Sequence, residues 1–129
     1  MMVRHKKIAM AIWNDIISPV FDSTYHVLIV EIKDGKVISS HCEVLGPELP
    51  YSRALRLSEW GIQVLICGGI SIEFVRTMEI YGIEIIPFIT GSVRGVLNAY
   101  LNNTLMSDGF FMPGFKGGRR RNRFRGGRR

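Results

Sequence analysis

Cysteine is scarce in this 129-residue chain, with Cys42 and Cys67 its only two thiols. So few exclude the disulfide framework of a small secreted domain, and both are expected to be reduced, in a cytoplasmic protein. Long apolar runs are missing as well. The run at 8–13, which follows Arg4, Lys6 and Lys7, is too short for the hydrophobic region of a signal peptide and meets Asn14-Asp15 instead of a small-residue cleavage site. No stretch approaches the roughly 18 uncharged apolar residues of a membrane span. Histidine is limited to His5, His26 and His41, without H-x-x-x-H or C-x-x-C spacing anywhere, so a closed zinc site is not expected. Also absent are the G-x-S-x-G elbow of a serine hydrolase, the Lys-Ser/Thr of a P-loop and the third glycine of a dinucleotide fingerprint. No catalytic residue is assigned, and the chain reads as a non-enzyme.

Negative charge is missing from the last fourteen residues. Residues 116–129 hold eight Lys and Arg and no Asp or Glu, whereas residues 1–115 hold nine basic and eleven acidic residues, a balance of −2. The net charge of +6 therefore belongs to the tail. The chain divides accordingly into one α/β domain over 1–115, long enough to bury a core of its own, and an arginine-rich tail over 116–129 that cannot bury one and is expected to be disordered. Phe124 is interleaved among the tail arginines. Such a segment can contact phosphates and stack on bases, or attract any polyanion, so a nucleic-acid-binding protein acting through its basic tail is one functional alternative.

Within the domain, residues 7–13 are apolar on both faces, which suits a central strand covered on two sides. A loop over 14–22, marked by Asn, Asp, Ser and Pro19, separates it from a second apolar run at 26–33. Asp34-Gly35 then supplies a two-residue hairpin turn into a third strand at 37–44, whose more polar face places it at a sheet edge. Helices are expected at 51–60, ending at Gly61, and at 72–81, ending at Gly82, with short strands at 63–67 and 84–89 between and after them. Pro87 argues for an irregularity in the last strand. Ser92 can cap a final helix whose Val93, Val96, Leu97, Tyr100 and Leu101 fall on one stripe. The order βββαβαβα, with right-handed crossovers, predicts a five-stranded mixed sheet of order 3-2-1-4-5 with helices on its faces.

In that arrangement the connections leaving the first and fourth strands diverge, opening a crevice where the loops at 14–22, 68–71 and 90–92 meet. The sharpest segment there is Cys67-Gly68-Gly69-Ile70-Ser71. Paired glycines let a ligand approach the backbone, and the helix N-terminus that follows presents free N–H groups with partial positive charge, so the turn is a natural anion seat. The same glycines would also serve simply to turn strand into helix. Cys67 could offer a thiolate to a soft metal or pack as a small hydrophobe. Asp15, Asp22 and Ser71 are the only candidates for hydrolytic chemistry, and water-facing loop carboxylates are the plainer reading of the two acids.

Five segments in order carry a family resemblance: Lys7-Ile8-Ala9-Met10, Ile17-Ser18-Pro19-Val20-Phe21-Asp22, Val64-Leu65-Ile66-Cys67-Gly68-Gly69-Ile70-Ser71, Gly82-Ile83 with Pro87-Phe88-Ile89-Thr90-Gly91, and Phe111-Met112-Pro113-Gly114. Together, over about residues 6–114, they resemble the dinitrogenase iron-molybdenum cofactor biosynthesis family. The resemblance implies a ribonuclease-H-like three-layer fold. It also implies non-catalytic binding or carriage of an iron- or molybdenum-containing metal-sulfur cluster, or a related anionic metal cofactor, in cofactor assembly, with an acceptor or assembly protein as partner. The residues expected to bind the cofactor are Asn14, Ser18, Phe21, Asp22, Gly68, Gly69, Ile70, Ser71, Thr90 and Gly91, with Cys67 as the metal ligand. Two positions depart from the family pattern: Val20, where many relatives carry histidine, and Phe115, where closer relatives carry cysteine.

Overall fold

The computed structural model describes residues 4–46, 49–107 and 109–112. In chain order the elements are β1 (His5–Trp13), β2 (Ile16–Ile17), a single 3-10 turn (Phe21–Ser23), β3 (His26–Lys33), β4 (Lys36–Val44), α1 (Pro50–Glu59), β5 (Val64–Ile66), α2 (Ile72–Ile80), β6 (Glu84–Ile86) and α3 (Val93–Leu101). The basic tail at 116–129, and with it Phe115, lies outside the described residues.

The apolar run that opens the domain becomes the central strand. β1 pairs antiparallel with β3 on one side and parallel with β5 on the other, and Ile8, Ala9, Met10 and Ala11 have no exposed surface. Side chains alternate across a strand. Ala9 and Ala11 accordingly join Val27, Ile29, Leu65 and Ile85 under Ala54 and Leu57 of α1 and Phe74, Val75 and Met78 of α2. Ile8 and Met10 join Val30, Ile32, Val64, Ile66 and Ile86 under Val96 and Ala99 of α3. The result is a mixed sheet with a helix layer on each face.

The five-stranded sheet expected from the sequence is corrected to six strands. β2 folds back antiparallel on the end of β1 through Asn14-Asp15, with Asn14 at φ +56° and Trp13 opposite Ile16. Two residues are too few to show an alternating pattern, which hides this strand in the loop. The order is β4-β3-β1-β5-β6, with β2 off that path on β1. The last strand also ends early, at Ile86, because Pro87 has no N–H for the ladder. The next residue, Phe88, has φ +64°, a left-handed backbone that an aromatic residue seldom adopts.

Helix ends follow local chemistry. α1 opens with Pro50 in its first turn, and the chain leaves it through Gly61 at φ +80°. At the start of α3 the Ser92 hydroxyl accepts the Gly95 N–H at 3.0 Å. No helix among the described residues is long and apolar enough to cross a membrane.

Candidate functional site

The three connections leaving the carboxyl ends of β1, β5 and β6 meet, and their backbones bind them to one another. The first connection docks on the second: Gly69 N–H donates to the Pro19 carbonyl and Phe21 N–H donates to the Gly69 carbonyl, both at 2.7 Å. The first also docks on the third, with Ile17 N–H donating to the Gly91 carbonyl at 3.0 Å and Val93 N–H to the Asp15 carbonyl at 2.8 Å. The second and third are joined through Phe88 N–H to the Gly68 carbonyl at 2.9 Å and Ile89 N–H to the Cys67 carbonyl at 3.0 Å. Residues 110–112 back the third connection, where Thr90 N–H donates to the Phe110 carbonyl at 2.6 Å and Met112 N–H to the Phe88 carbonyl at 2.8 Å.

The glycines of the second connection therefore make room for protein backbone. A Cβ on Gly68 would lie 2.5 Å from the Pro19 carbonyl oxygen and 2.8 Å from its carbon, far inside van der Waals contact. On Gly69 the nearest atom would be the same Pro19 oxygen, at 3.3 Å. The anion seat read from the sequence is in part taken by the chain itself. Asp22 reaches across from the first connection, and its carboxylate accepts the Ser71 N–H at 3.1 Å, at the start of α2. Ser71 is the N-cap residue of α2 but its side chain caps nothing; its hydroxyl oxygen is buried without a hydrogen-bond partner.

The expected site residues separate into three groups by exposure. Asn14, Asp22 and Thr90 are exposed, and Gly69, Ile70, Ser71 and Gly91 are partly exposed, so these seven can meet a ligand. Ser18, Phe21 and Gly68, also expected at the cofactor, are buried. Ser18 is enclosed under the first connection with its hydroxyl 2.8 Å from that of Thr24. Phe21 is a core ring, packed edge-on against Phe74 at 5.3 Å between centroids.

Cys67, expected as a metal ligand, lies away from the surface. It is fully buried in the core beneath α1 and α2. Burial, and secondarily the negative charge of Asp22, push its thiol far above the usual range, so that it stays protonated at neutral pH. In this buried setting the thiol packs as a small hydrophobe and has no surface open to solvent. Cys42 is exposed on β4. No group of three His, Cys, Asp or Glu side chains that could hold a metal ion occurs among the described residues.

Arg53 is the residue that sequence reasoning missed. It has no exposed surface, and its guanidinium donates to the carbonyls of Phe21 (2.8 Å), Thr24 (2.6 Å) and Gly46. It also lies over the rings of Phe21 and Phe74, 5.2 and 5.8 Å from their centroids. α1 is thereby clamped to the first connection, whose end carries Asp22. The available signal was helical spacing: Arg53 and Leu57 are four residues apart on the buried stripe of α1.

Two clefts lie away from these connections. One of about 510 Å³, lined by residues including Arg4, Lys6, Tyr100 and Asn103, and a neighbouring one of about 240 Å³ sit by the amino-terminal end of β1.

A family model described as dinitrogenase iron-molybdenum cofactor matches residues 4–103. Among solved structures, a candidate dinitrogenase from Methanocaldococcus jannaschii is 24% identical, with 78% of this chain and 92% of that one covered and a TM-score of 0.64. A protein designated PH0822 is 16% identical over 78% of this chain and 92% of its own, with a TM-score of 0.68. A candidate NifB protein from Thermotoga is 17% identical over 77% and 90%, with a TM-score of 0.57. These likenesses show the fold. No curated protein matches the sequence.

Proposed function

The chain belongs to the dinitrogenase iron-molybdenum cofactor family, and from that premise we propose that it is a non-catalytic carrier whose cargo is an anionic iron- or molybdenum-containing metal-sulfur cluster. The cargo rests against the joined connections at 14–22, 67–71 and 88–92 and passes to an acceptor or assembly protein. The ribonuclease-H-like description of the three layers belongs to the same reading.

One observation carries the placement. Beside the start of α2, where free N–H groups favour negative charge, the Ser71 hydroxyl is buried without a partner. A buried polar atom left unsatisfied is unusual and costly, and turning that hydroxyl outward to donate to a bound anion, at a residue that is itself partly exposed, would remove the cost. Asn14, Thr90 and the backbone at Ile70 and Gly91 are the exposed and half-exposed positions of the three joined connections.

The described residues do not fit a resident cluster coordinated by this chain. They offer no group of three ligating side chains, and their one thiol at the site, that of Cys67, is fully buried. In this reading the described residues hold the cargo by hydrogen bonding and charge, and the cluster arrives complete in its terminal ligands. Asp22 opposes such cargo, since its carboxylate already holds the Ser71 N–H.

Anaerobic reconstitution of the full chain with iron, molybdate and sulfide, followed by gel filtration, metal analysis and absorption spectra, tests this function. Wild-type protein should retain a chromophore and metal, and Cys67→Ala should retain as much. Protein that emerges free of metal would refute carriage, and loss confined to a folded Cys67→Ala variant would refute the argument against thiolate ligation.

A further inference from the structure

β4 is the outer strand of the sheet, paired with β3 on one side and with nothing among the described residues on the other. None of its nine side chains is buried, and Ile38 and Val44 are 53% and 61% exposed. Two backbone hydrogen bonds fix the direction of its remaining donors and acceptors. Leu45 N–H donates to the Tyr25 carbonyl, which continues the β3–β4 register, and Asp34 N–H donates to the Arg4 carbonyl, which continues the β1–β3 register. In an antiparallel ladder the backbone groups face alternate sides with period two. Odd-numbered residues of β3 therefore bond β4, and even-numbered ones bond β1. On β4, residues 39, 41 and 43 bond inward, which leaves the N–H and C=O of Ser40, Cys42 and Val44 directed at the open edge.

Such an edge is a template for another strand, and residues 38–44 contain neither the proline nor the lysine that commonly protects one. The register shift opposite Glu31 and Ile32 interrupts regular spacing near Ile38, so the regular part of the edge begins at Ser39. We infer that this edge self-associates: its occupant is β4 of a second copy, paired antiparallel about a two-fold axis at Cys42. Outward-facing residues must meet outward-facing residues, so the centre falls on a residue, and the centres that pair the most of 39–44 are His41 and Cys42. A centre at His41 sets the two imidazoles against each other. A centre at Cys42 sets each His41 opposite Glu43 of the second copy, in the close, non-hydrogen-bonded type of pair. His41 and Glu43 are already 3.3 Å apart within one copy, so the four side chains bring each imidazole N–H against a carboxylate of either copy. Ser40 then exchanges backbone hydrogen bonds with Val44 of the second copy. A strand pairing this short buries less than the roughly 1,200 Å² at the lower end of stable interfaces, so the dimer is weak and fills at high concentration.

Sedimentation of the full chain over a concentration series, with diamide trapping, tests the inference. In trapping, two Cys42 thiols give up two protons and two electrons to the azo bond of diamide, which becomes a hydrazine as one S–S bond forms. Ser40→Pro removes an N–H that faces the open edge and leaves the β3–β4 ladder intact. Wild-type mass should rise toward twice the monomer value with concentration. Ser40→Pro, lacking two hydrogen bonds per dimer, should associate and cross-link at least about tenfold less. A wild type that stays monomeric and yields no covalent dimer overturns the inference, as does a folded Ser40→Pro that associates equally well. Should Ser40→Pro fail to fold, charge exchange decides: Glu43→Lys should weaken association and His41→Glu with Glu43→Lys should restore it, whereas indifference to both overturns it.

Discussion

Replacing Gly68 with alanine is the sharpest structural perturbation available, because one methyl group must enter a space already held by backbone. The added carbon would sit 2.5 Å from the Pro19 carbonyl oxygen and 2.8 Å from the Pro19 carbonyl carbon. Neither neighbour is the movable end of a side chain, so the first connection itself has to shift. Overpacking of this kind costs about 1–3 kcal/mol. The shift also strains the Gly69 N–H to Pro19 and Phe21 N–H to Gly69 bonds, each worth about 1 kcal/mol. A total near 2–4 kcal/mol follows, which in a domain of this size lowers Tm by roughly 10–20 °C. Gly69→Ala is the control, since its nearest neighbour would be 3.3 Å away and a few tenths of an ångström of relief suffice; it should cost no more than about 1 kcal/mol. Thermal and urea unfolding of the two variants beside wild type decide the matter. A Gly68→Ala protein melting within about 3 °C of wild type would refute the view that this glycine exists to seat the first connection.

Other outcomes follow from the same contacts. Arg53→Met should lose about 3–5 kcal/mol by urea unfolding, and Arg53→Lys should recover little, because an ammonium cannot serve three carbonyls while lying flat on two rings. Native protein should present one thiol to Ellman's reagent, Cys42, and denatured protein two. The folded Cys67 thiol ionises at a higher pH than the unfolded one, so its contribution is complete below the ordinary thiol value of about 8.5 and declines above it by about 1.4 kcal/mol per pH unit. Melts above pH 9 should accordingly fall less steeply for Cys67→Ala than for wild type. Asp22→Asn, which removes a charge beside the Ser71 N–H, should increase retention of reconstituted cluster, and a decrease would mean that the carboxylate helps to hold the cargo.

Most of the framework was legible because it rests on local signals. Continuous apolar runs marked β1 and β3, Asp34-Gly35 marked the hairpin, where φ is +53° and +80°, and Gly61 and Gly82 ended their helices at φ +80° and +77°. Ser92 capped α3 as its position suggested. The candidate site was less legible for a physical reason: a glycine announces that something comes close and not what it is. At Gly68 the visitor is the backbone of residues 18–19, contributed from fifty residues earlier in the chain. The burial of Cys67 likewise depends on helices whose packing no period in its own strand reveals. Arg53 reads as a surface cation until the carbonyls of Phe21, Thr24 and Gly46 are brought together around it.

Whether cargo lies on the three joined connections is tested most directly by comparing backbone amide NMR signals of the full chain before and after anaerobic reconstitution. The account predicts that the signals of residues 14–22, 67–71 and 88–92 shift or broaden, Ser71 and its neighbours most of all, while β4 and the amino-terminal end of β1 stay unchanged. Perturbation centred on the clefts beside Arg4 and Lys6, or no perturbation by a protein that demonstrably carries metal, would contradict it.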